Sequence, residues 1–500
     1  MLQTFKFICS ILLFSLTLTI EASLPFPDVK KSKVIIRDEI GRHVIYRGIN
    51  TRVKNIFDVN FNDGRLPLEL IPEFTENDAM EIAKIGFNLV RLPVNWSGIQ
   101  PNPTEFNEAY ISKILSFMDI CEKFELDVLI DMHQDAYSKE IGEDGAPDWA
   151  ILPKNFTPNP GGELGNLTLK RISLDTQYAF TSFWKNLKVN GTGLQDHYIN
   201  SIIFLLKKVS KHKSFVGIEL FNEPWLINIE KFTSKDDPYT HGIQIDMLWN
   251  FYKKAISRIR KSYPEIWIYL EPDVTKSVVI PFLNSSKDQF KAIGLPKSPP
   301  WNTYKTVYAP HLYTLGMVIG DFLGKDWLDP KDPGIWKSID YSIVESNQID
   351  AGLLIGEFGF SHKSKNYEKT LHNILDTADI HLIHTAQWLW KEASQDSWGF
   401  WDYSKTDGFT LRHEIALKSA RPYPSKISGT ISGFRLDRHH KILEIFLSTV
   451  NKKHFHEVIW PHNYGYKANP IIVCGDRLVK WSRKESKLIF KCDKNVIQIF

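Results

Sequence analysis

Two carboxylates stand out by their setting. Glu223 lies in Asn222-Glu223-Pro224, directly after the apolar run Gly217–Phe221, and Glu357 lies in Gly356-Glu357-Phe358-Gly359. A glutamate just past a buried strand is anchored by the strand while its head stays free to react. Two such groups facing each other are what acetal cleavage needs: one protonates the leaving oxygen, and the other, ionised, attacks or activates water. The same chemistry needs their pKa values pushed apart, so that one group keeps a proton at the working pH. Asn-Glu-Pro alone reads equally well as a turn. Its pairing with Gly-Glu-Phe-Gly is what gives it weight.

The ends of other apolar runs carry residue types that suit the same site. They are Arg91, His133-Gln134-Asp135, Glu271-Pro272-Asp273, His311-Leu312-Tyr313, and either Trp388 or Trp390. Positions two apart on a strand share one face, so both tryptophans are candidates, and Trp390, nearer the strand end, is the preferred platform. The histidines also read as satisfied polar residues packing a barrel top. Glu219 and Glu271 read as buried salt-bridge partners, and Trp149, Trp225, Trp398 and Trp401 as loop aromatics that either pack or border a groove.

These positions require elements that bring them together. Eight apolar runs recur, at Val44–Asn50, Phe87–Pro93, Val128–Gln134, Val216–Pro224, Ile266–Pro272, Val307–Tyr313, Gly352–Gly359 and Thr385–Glu392. Near-continuous hydrophobic runs fit parallel strands buried on both faces. Helical patterns alternate with them, one announced by Thr75-Glu76-Asn77-Asp78 in the manner of a capping box and another over Asn107–Phe124. Eight βα units spread over about 350 residues predict a (β/α)8 TIM barrel over residues 30–420, with its reactive residues at the C-terminal strand ends. The largest insertion, roughly Asp135 to Lys213, should cover that face. After Arg421-Pro422-Tyr423-Pro424-Ser425 the period becomes two, predicting a small C-terminal β-sandwich over 426–500.

The whole chain has 500 residues, 43% apolar and 24% charged, with a net charge of +3. That balance gives no bulk electrostatic handle for nucleic acid. Lys6, the apolar run Phe7–Ile20 and the small residues Ala22 and Ser23 predict a secretory signal over 1–22, and hence a secreted or lumenal protein. Sequons at Asn95, Asn155, Asn166, Asn190 and Asn284 agree with that route, Asn95 being the least suited because it follows a strand end. Cys474 and Cys492 are placed to pair, and Cys121 falls on the apolar face of a helix as a buried thiol. His439-His440 has no partners at ligand spacing and no phosphate-binding glycine loop is present, so neither metal nor cofactor is expected. A monomer is expected.

The barrel residues resemble glycoside hydrolase family 5, a retaining (β/α)8 family, strand by strand and in order. The resemblance implies Glu223 as acid/base, Glu357 as nucleophile, Asn222 on the sugar 2-hydroxyl, Tyr313 bonded to the nucleophile, and Arg91 positioning it. His133, His311 and Trp390 would surround the sugar. Asp131-Met132-His133-Gln134-Asp135 followed by Gly145-Ala146-Pro147-Asp148-Trp149 is similar to the endoglycoceramidase branch, which releases intact oligosaccharide from the ceramide of glycosphingolipids. By that resemblance Lys54 and Asp135 would hold the glucose next to the ceramide, and the partners would be a glycosphingolipid and, transiently, the membrane or micelle that carries it. A steryl glucosidase or a β-glucanase on the same barrel remains open. A carbohydrate-binding protein on a retired barrel would have lost one carboxylate, and a lipid-binding or activator protein would need the site residues to match by coincidence.

Overall fold

The computed structural model describes residues 29–226, 245–274, 298–314, 316–317, 320, 325–393 and 398–500. The first strand, β1 (His43–Val44), is followed by eight that form the centre of the molecule: β2 (Arg47–Asn50), β3 (Leu89–Asn95), β4 (Asp127–His133), β5 (Phe215–Glu219), β6 (Ile268–Leu270), β7 (Thr306–Tyr308), β8 (Gly352–Ile355) and β9 (His384–Gln387). These eight close into a barrel in the order β8-β9-β2-β3-β4-β5-β6-β7, each neighbour parallel. The expected TIM barrel is therefore present.

Several strands stop short of their apolar runs. β5 ends at Glu219 and β6 at Leu270; Leu220 N and Asn222 N still donate to Tyr269 O at 3.1 Å and Met132 O at 3.0 Å, and past them backbone groups bond to side chains. Glu223 N donates to Glu271 Oε2 at 2.6 Å, and Leu226 N to Asp273 Oδ2 at 2.9 Å. The reactive positions thus lie on coil just past the strands. The run Val44–Asn50 also divides. β1 pairs antiparallel with Tyr423–Ile427 of the C-terminal domain, and only Arg47–Asn50 enters the barrel.

The helices follow their start signals. α1 (Glu76–Ile85) opens with a reciprocal Thr75–Asp78 capping box and ends at Gly86, whose φ of +108° suits glycine. A side chain at Gly86 would also collide with Ile459 of the C-terminal domain, 2.8 Å from an added Cβ. α2 (Glu108–Lys123), capped by Asn107, buries Tyr110, Ile114, Phe117, Met118 and the free thiol of Cys121. The insertion after β4 contains α3 (Leu167–Arg171) and α4 (Leu174–Trp184). It closes earlier than expected, since α5 (Leu194–Val209) is the unit's own return helix to β5.

Tyr423–Ile427, which sequence placed at a junction, is the first C-terminal strand of a two-sheet sandwich. One sheet of five strands includes β1, and the other runs through Gly429–Asp437, Ile442–Val450, Val496–Ile499, Ile472–Cys474 and Arg477–Leu478. Their shared core contains Tyr423, Phe434, Trp460 and Phe490, and Cys474 is bridged to Cys492. Asn95 is buried, with its Nδ2 donating to His133 O at 3.2 Å. Asn155, Asn166 and Asn190 are exposed, while Asn284 and the expected signal over 1–22 lie outside the described residues.

Candidate active site

Alternation along the barrel strands sets the site. Leu89 and Arg91 on β3, and Leu129 and Asp131 on β4, are two apart and share an inward face. The lower positions join Tyr46, Tyr269, Val307 and Leu354 in an apolar floor. The upper ones, with Glu219 on β5, form a charged layer beneath the mouth.

Arg91, fully buried, is the hub of that layer. It donates to both oxygens of Glu219 (3.0 and 2.7 Å), to Glu357 Oε1 at 2.6 Å, to Asn50 Oδ1 at 2.9 Å and to Asn222 Oδ1 at 2.8 Å, and it lies 3.1 Å from Asp131. Burial disfavours its charge, but Asp131, Glu219 and Glu357 more than compensate and keep it cationic. Tyr313 donates its hydroxyl to the other oxygen of Glu357 at 3.0 Å. Burial and Glu357 raise the Tyr313 pKa, so it stays a donor.

Glu223 is held from several sides. Its φ is +41°, a backbone region uncommon for a residue with a side chain. Gln134 Nε2 donates to its carbonyl at 3.0 Å, and His311 Nδ1 lies 2.9 Å from its Oε1. Arg171 of α3 pairs with its Oε2 at 2.7 Å and with Asp135. Burial alone would raise the Glu223 carboxyl, but Arg171 and His311 outweigh it and hold it below the ordinary carboxylate range. Carboxylate oxygens of Glu223 and Glu357 and a ring nitrogen of His311 all lie within 4.8 Å of one another.

His133 completes one wall. Its Nδ1 is 2.5 Å from Asp131 and its Nε2 3.5 Å from Asp135. Burial disfavours the imidazolium, yet these carboxylates lift its pKa well above the usual value. Asp144 behind it is pushed up to about 8, chiefly by burial. Burial, Glu219 and Glu223 raise the Glu271 carboxyl, which accepts from Glu223 N at 2.6 Å and lies 3.3 Å from His311 Nδ1, the buried pairing expected of it. Three buried triads, His133/Asp135/Asp144, Glu219/Glu271/His311 and Glu223/His311/Glu357, have donor spacing that would fit a cation. Each already has an arginine on one of its carboxylates, Arg171 on Asp135 and Glu223 and Arg91 on Glu219 and Glu357, which opposes adding a second cation.

The structure thus assembles Arg91, His133, Asp135, Asn222, Glu223, His311, Tyr313 and Glu357 at one mouth. Two sequence expectations change. Trp390 is fully buried, its indole donating to Asp78 at 2.9 Å and its ring packed on Phe400 and Trp401. Trp388 takes the wall instead, stacked on His133 with centroids 5.8 Å apart and planes 11° apart. β9 ends at Gln387, so both tryptophans lie past the strand, and nearness to a strand end, the ground for preferring Trp390, does not decide which one faces the mouth. Lys54 is half exposed and paired with Glu73 at 2.8 Å, and the cation on Asp135 is Arg171. Trp149 of the insertion donates to Gln100 O, past β3, at 3.1 Å, and Trp225 donates to Gln177 Oε1 of α4 at 2.7 Å. Trp398 lies 6.1 Å from Tyr313. Sequence reasoning missed Arg171 and also Arg52, which pairs with Glu69 and Glu143 and lies 5.8 Å from the Trp388 ring centre. Arg171 ends a five-residue helix of the insertion and Arg52 lies in coil after β2, so no strand or helix period pointed to either.

A parallel barrel with two fixed glutamates, one beside Arg and Tyr and the other beside His, defines a glycosidase. The chain belongs to glycosyl hydrolase family 5, whose cellulase model matches residues 50–404, and it is an O-glycosyl hydrolase of the endoglycoceramidase-like branch. It is similar to Endoglycoceramidase I of Rhodococcus hoagii (strain 103S), 26% identical over 404 residues that cover 78% of this chain and 71% of the relative. The endoglycoceramidase of Hydra vulgaris is 22% identical over 482 residues, covering 89% and 84%. The solved Endo-glycoceramidase II from Rhodococcus sp. in its ganglioside GM3 complex shares the fold, with a TM-score of 0.72 at 21% identity, covering 93% of this chain and 99% of that one.

Proposed function

We propose that this protein is a secreted or lumenal retaining endo-glycosidase that cleaves the β-glycosidic bond between oligosaccharide and ceramide in glycosphingolipids. The observation that carries the mechanism is the approach of Glu223 and Glu357, with oxygens within 4.8 Å. Retaining pairs stand about 5–5.5 Å apart, whereas inverting pairs leave about 6.5–9.5 Å for a water.

Glu357, paired with Arg91 and oriented by Tyr313, attacks the anomeric carbon. Glu223 hands its proton to the departing ceramide oxygen, and a glycosyl ester on Glu357 results. Glu223 then takes a proton from water, the resulting hydroxide attacks the anomeric carbon, and Glu357 is released as a carboxylate. Asn222, beside both glutamates and fixed by Arg91, is placed for the sugar 2-hydroxyl. Trp388 and His133 form a flat wall for the ring, with Asp135 beside them. The ceramide aglycone and the endo mode of cleavage are supported by the two endoglycoceramidase relatives, which align along most of this chain.

The test is product identity. Incubation with lactosylceramide should give intact lactose and intact ceramide by mass spectrometry. Release of galactose ahead of glucose would overturn the endo assignment.

A further inference from the structure

Large aliphatic side chains are exposed on one region of the active face. Leu66 (70%) and Leu70 (50%) lie in the loop after β2, and Leu169 (54%), Ile172 (51%) and Leu174 (55%) lie around the junction of α3 and α4. Both segments follow the C-terminal ends of barrel strands, the side on which Glu223 and Glu357 open. They are joined to each other: Gly162 N donates to Leu66 O at 3.1 Å, and Arg65 Nη1 to Asn159 O at 2.7 Å. α3 buries no side chain of its own. Asn166 caps it at 3.0 Å, and the guanidinium of Arg171 ties it to the barrel through Asp135 and Glu223. One short helix therefore shows aliphatic side chains to solvent and grips the acid/base carboxylate.

We propose that Leu66, Leu70, Leu169, Ile172 and Leu174 form a docking surface for a neutral lipid interface, and that docking draws α3 outward and lifts Arg171 off Glu223. The choice of occupant rests on the function proposed above. The leaving group is then anchored by hydrocarbon chains that stay in a lipid phase while the scissile bond enters the mouth, so the lip of the mouth lies against that phase. Aliphatic residues with an interleaved lysine, as in Leu169-Lys170-Arg171-Ile172, suit the boundary between acyl chains and headgroups. The coupling follows from charge. While Arg171 faces Glu223 the carboxylate is favoured over the acid, and an acid is what the departing oxygen needs. Contact with the surface would thus both deliver the bond and ready the proton.

The experiment separates this from the activity itself. Phosphatidylcholine vesicles without substrate should co-sediment the native protein, and they should raise its turnover of water-soluble p-nitrophenyl β-lactoside several-fold. Leu169→Ser/Ile172→Ser/Leu174→Ser should lose vesicle binding and stimulation while keeping the vesicle-free rate. Asn166→Asp, which keeps the cap and removes a glycan acceptor beside the patch, should behave as native. If it alone bound vesicles, the patch would be shielded in the native protein and docking refuted. Cleavage of the soluble lactoside with no vesicle binding or stimulation would also refute docking while leaving the glycosidase intact. No cleavage would sink the functional reading instead. Concentration-dependent dimerisation lost in the triple variant would assign the patch to a second copy of the chain.

Discussion

Two layers of one barrel, built by the same strands two residues apart, follow opposite rules. The floor, with Tyr46, Leu89, Leu129, Tyr269, Val307 and Leu354, is apolar and close-packed. The layer above holds Arg91, Asp131, Glu219 and Glu357 without contact with water on most of their surfaces. Burial of apolar area stabilises the floor directly. Burying ion pairs gains little net stability, because desolvation offsets the attraction, while removing one partner is strongly destabilising. The comparison separates the work: the floor holds the barrel closed, and the mouth spends that stability on holding carboxylates in reacting positions.

The largest expected effect is at the mouth and on rate alone. Glu223→Gln should lower kcat by about 10²–10⁴-fold, and Glu357→Gln by more, with unfolding midpoints close to the native value because Arg91 keeps Asp131 and Glu219 and Arg171 keeps Asp135. A fall in stability for either would break the contrast. Arg91→Met should lower both properties, destabilising by about 3–5 kcal/mol in denaturant titrations, because Glu219, Asp131 and Glu357 lose their shared cation. Leu129→Ala, one turn of the pleat below Asp131, should cost about 2–5 kcal/mol with kcat/KM of the folded enzyme unchanged. A kcat/KM loss there would show that the floor also aims the site. The smallest effect is on pH dependence. Arg171 holds the Glu223 carboxyl down, so Arg171→Gln raises it. The alkaline limb of kcat/KM, where Glu223 loses its proton, should move to higher pH. An unmoved limb would mean that Arg171 does not face Glu223 in the free enzyme.

The mouth was largely legible because strand ends are where sequence patterns are clearest. The apolar runs placed Arg91, His133, Glu223, His311 and Glu357 at the ends of parallel strands, and the barrel brings those ends together. The glutamates needed no knowledge of loops. The errors fall where the strand period stops. β9 ends one residue before Trp388, so alternation could not choose between the tryptophans. Lys54 was carried by local similarity, while the cation beside Asp135 comes from the insertion, 36 residues further on. No spacing rule reaches that far. Val44 was taken for a barrel strand because apolar composition does not reveal which sheet a chain will join.

That last point bears on how the molecule is made. β1 pairs with Tyr423–Ile427, and the next residue, Ile45, packs into the C-terminal core. During synthesis this edge emerges long before its partner, and nearly the whole barrel must leave the ribosome before it can be capped. Contacts of such high sequence separation slow folding, and an open, apolar strand edge invites pairing with other chains. The C-terminal sandwich is therefore the clasp that seals the start of the chain. A nascent protein arrested before residue 423 would have all its mouth residues synthesised and still present an unsealed edge.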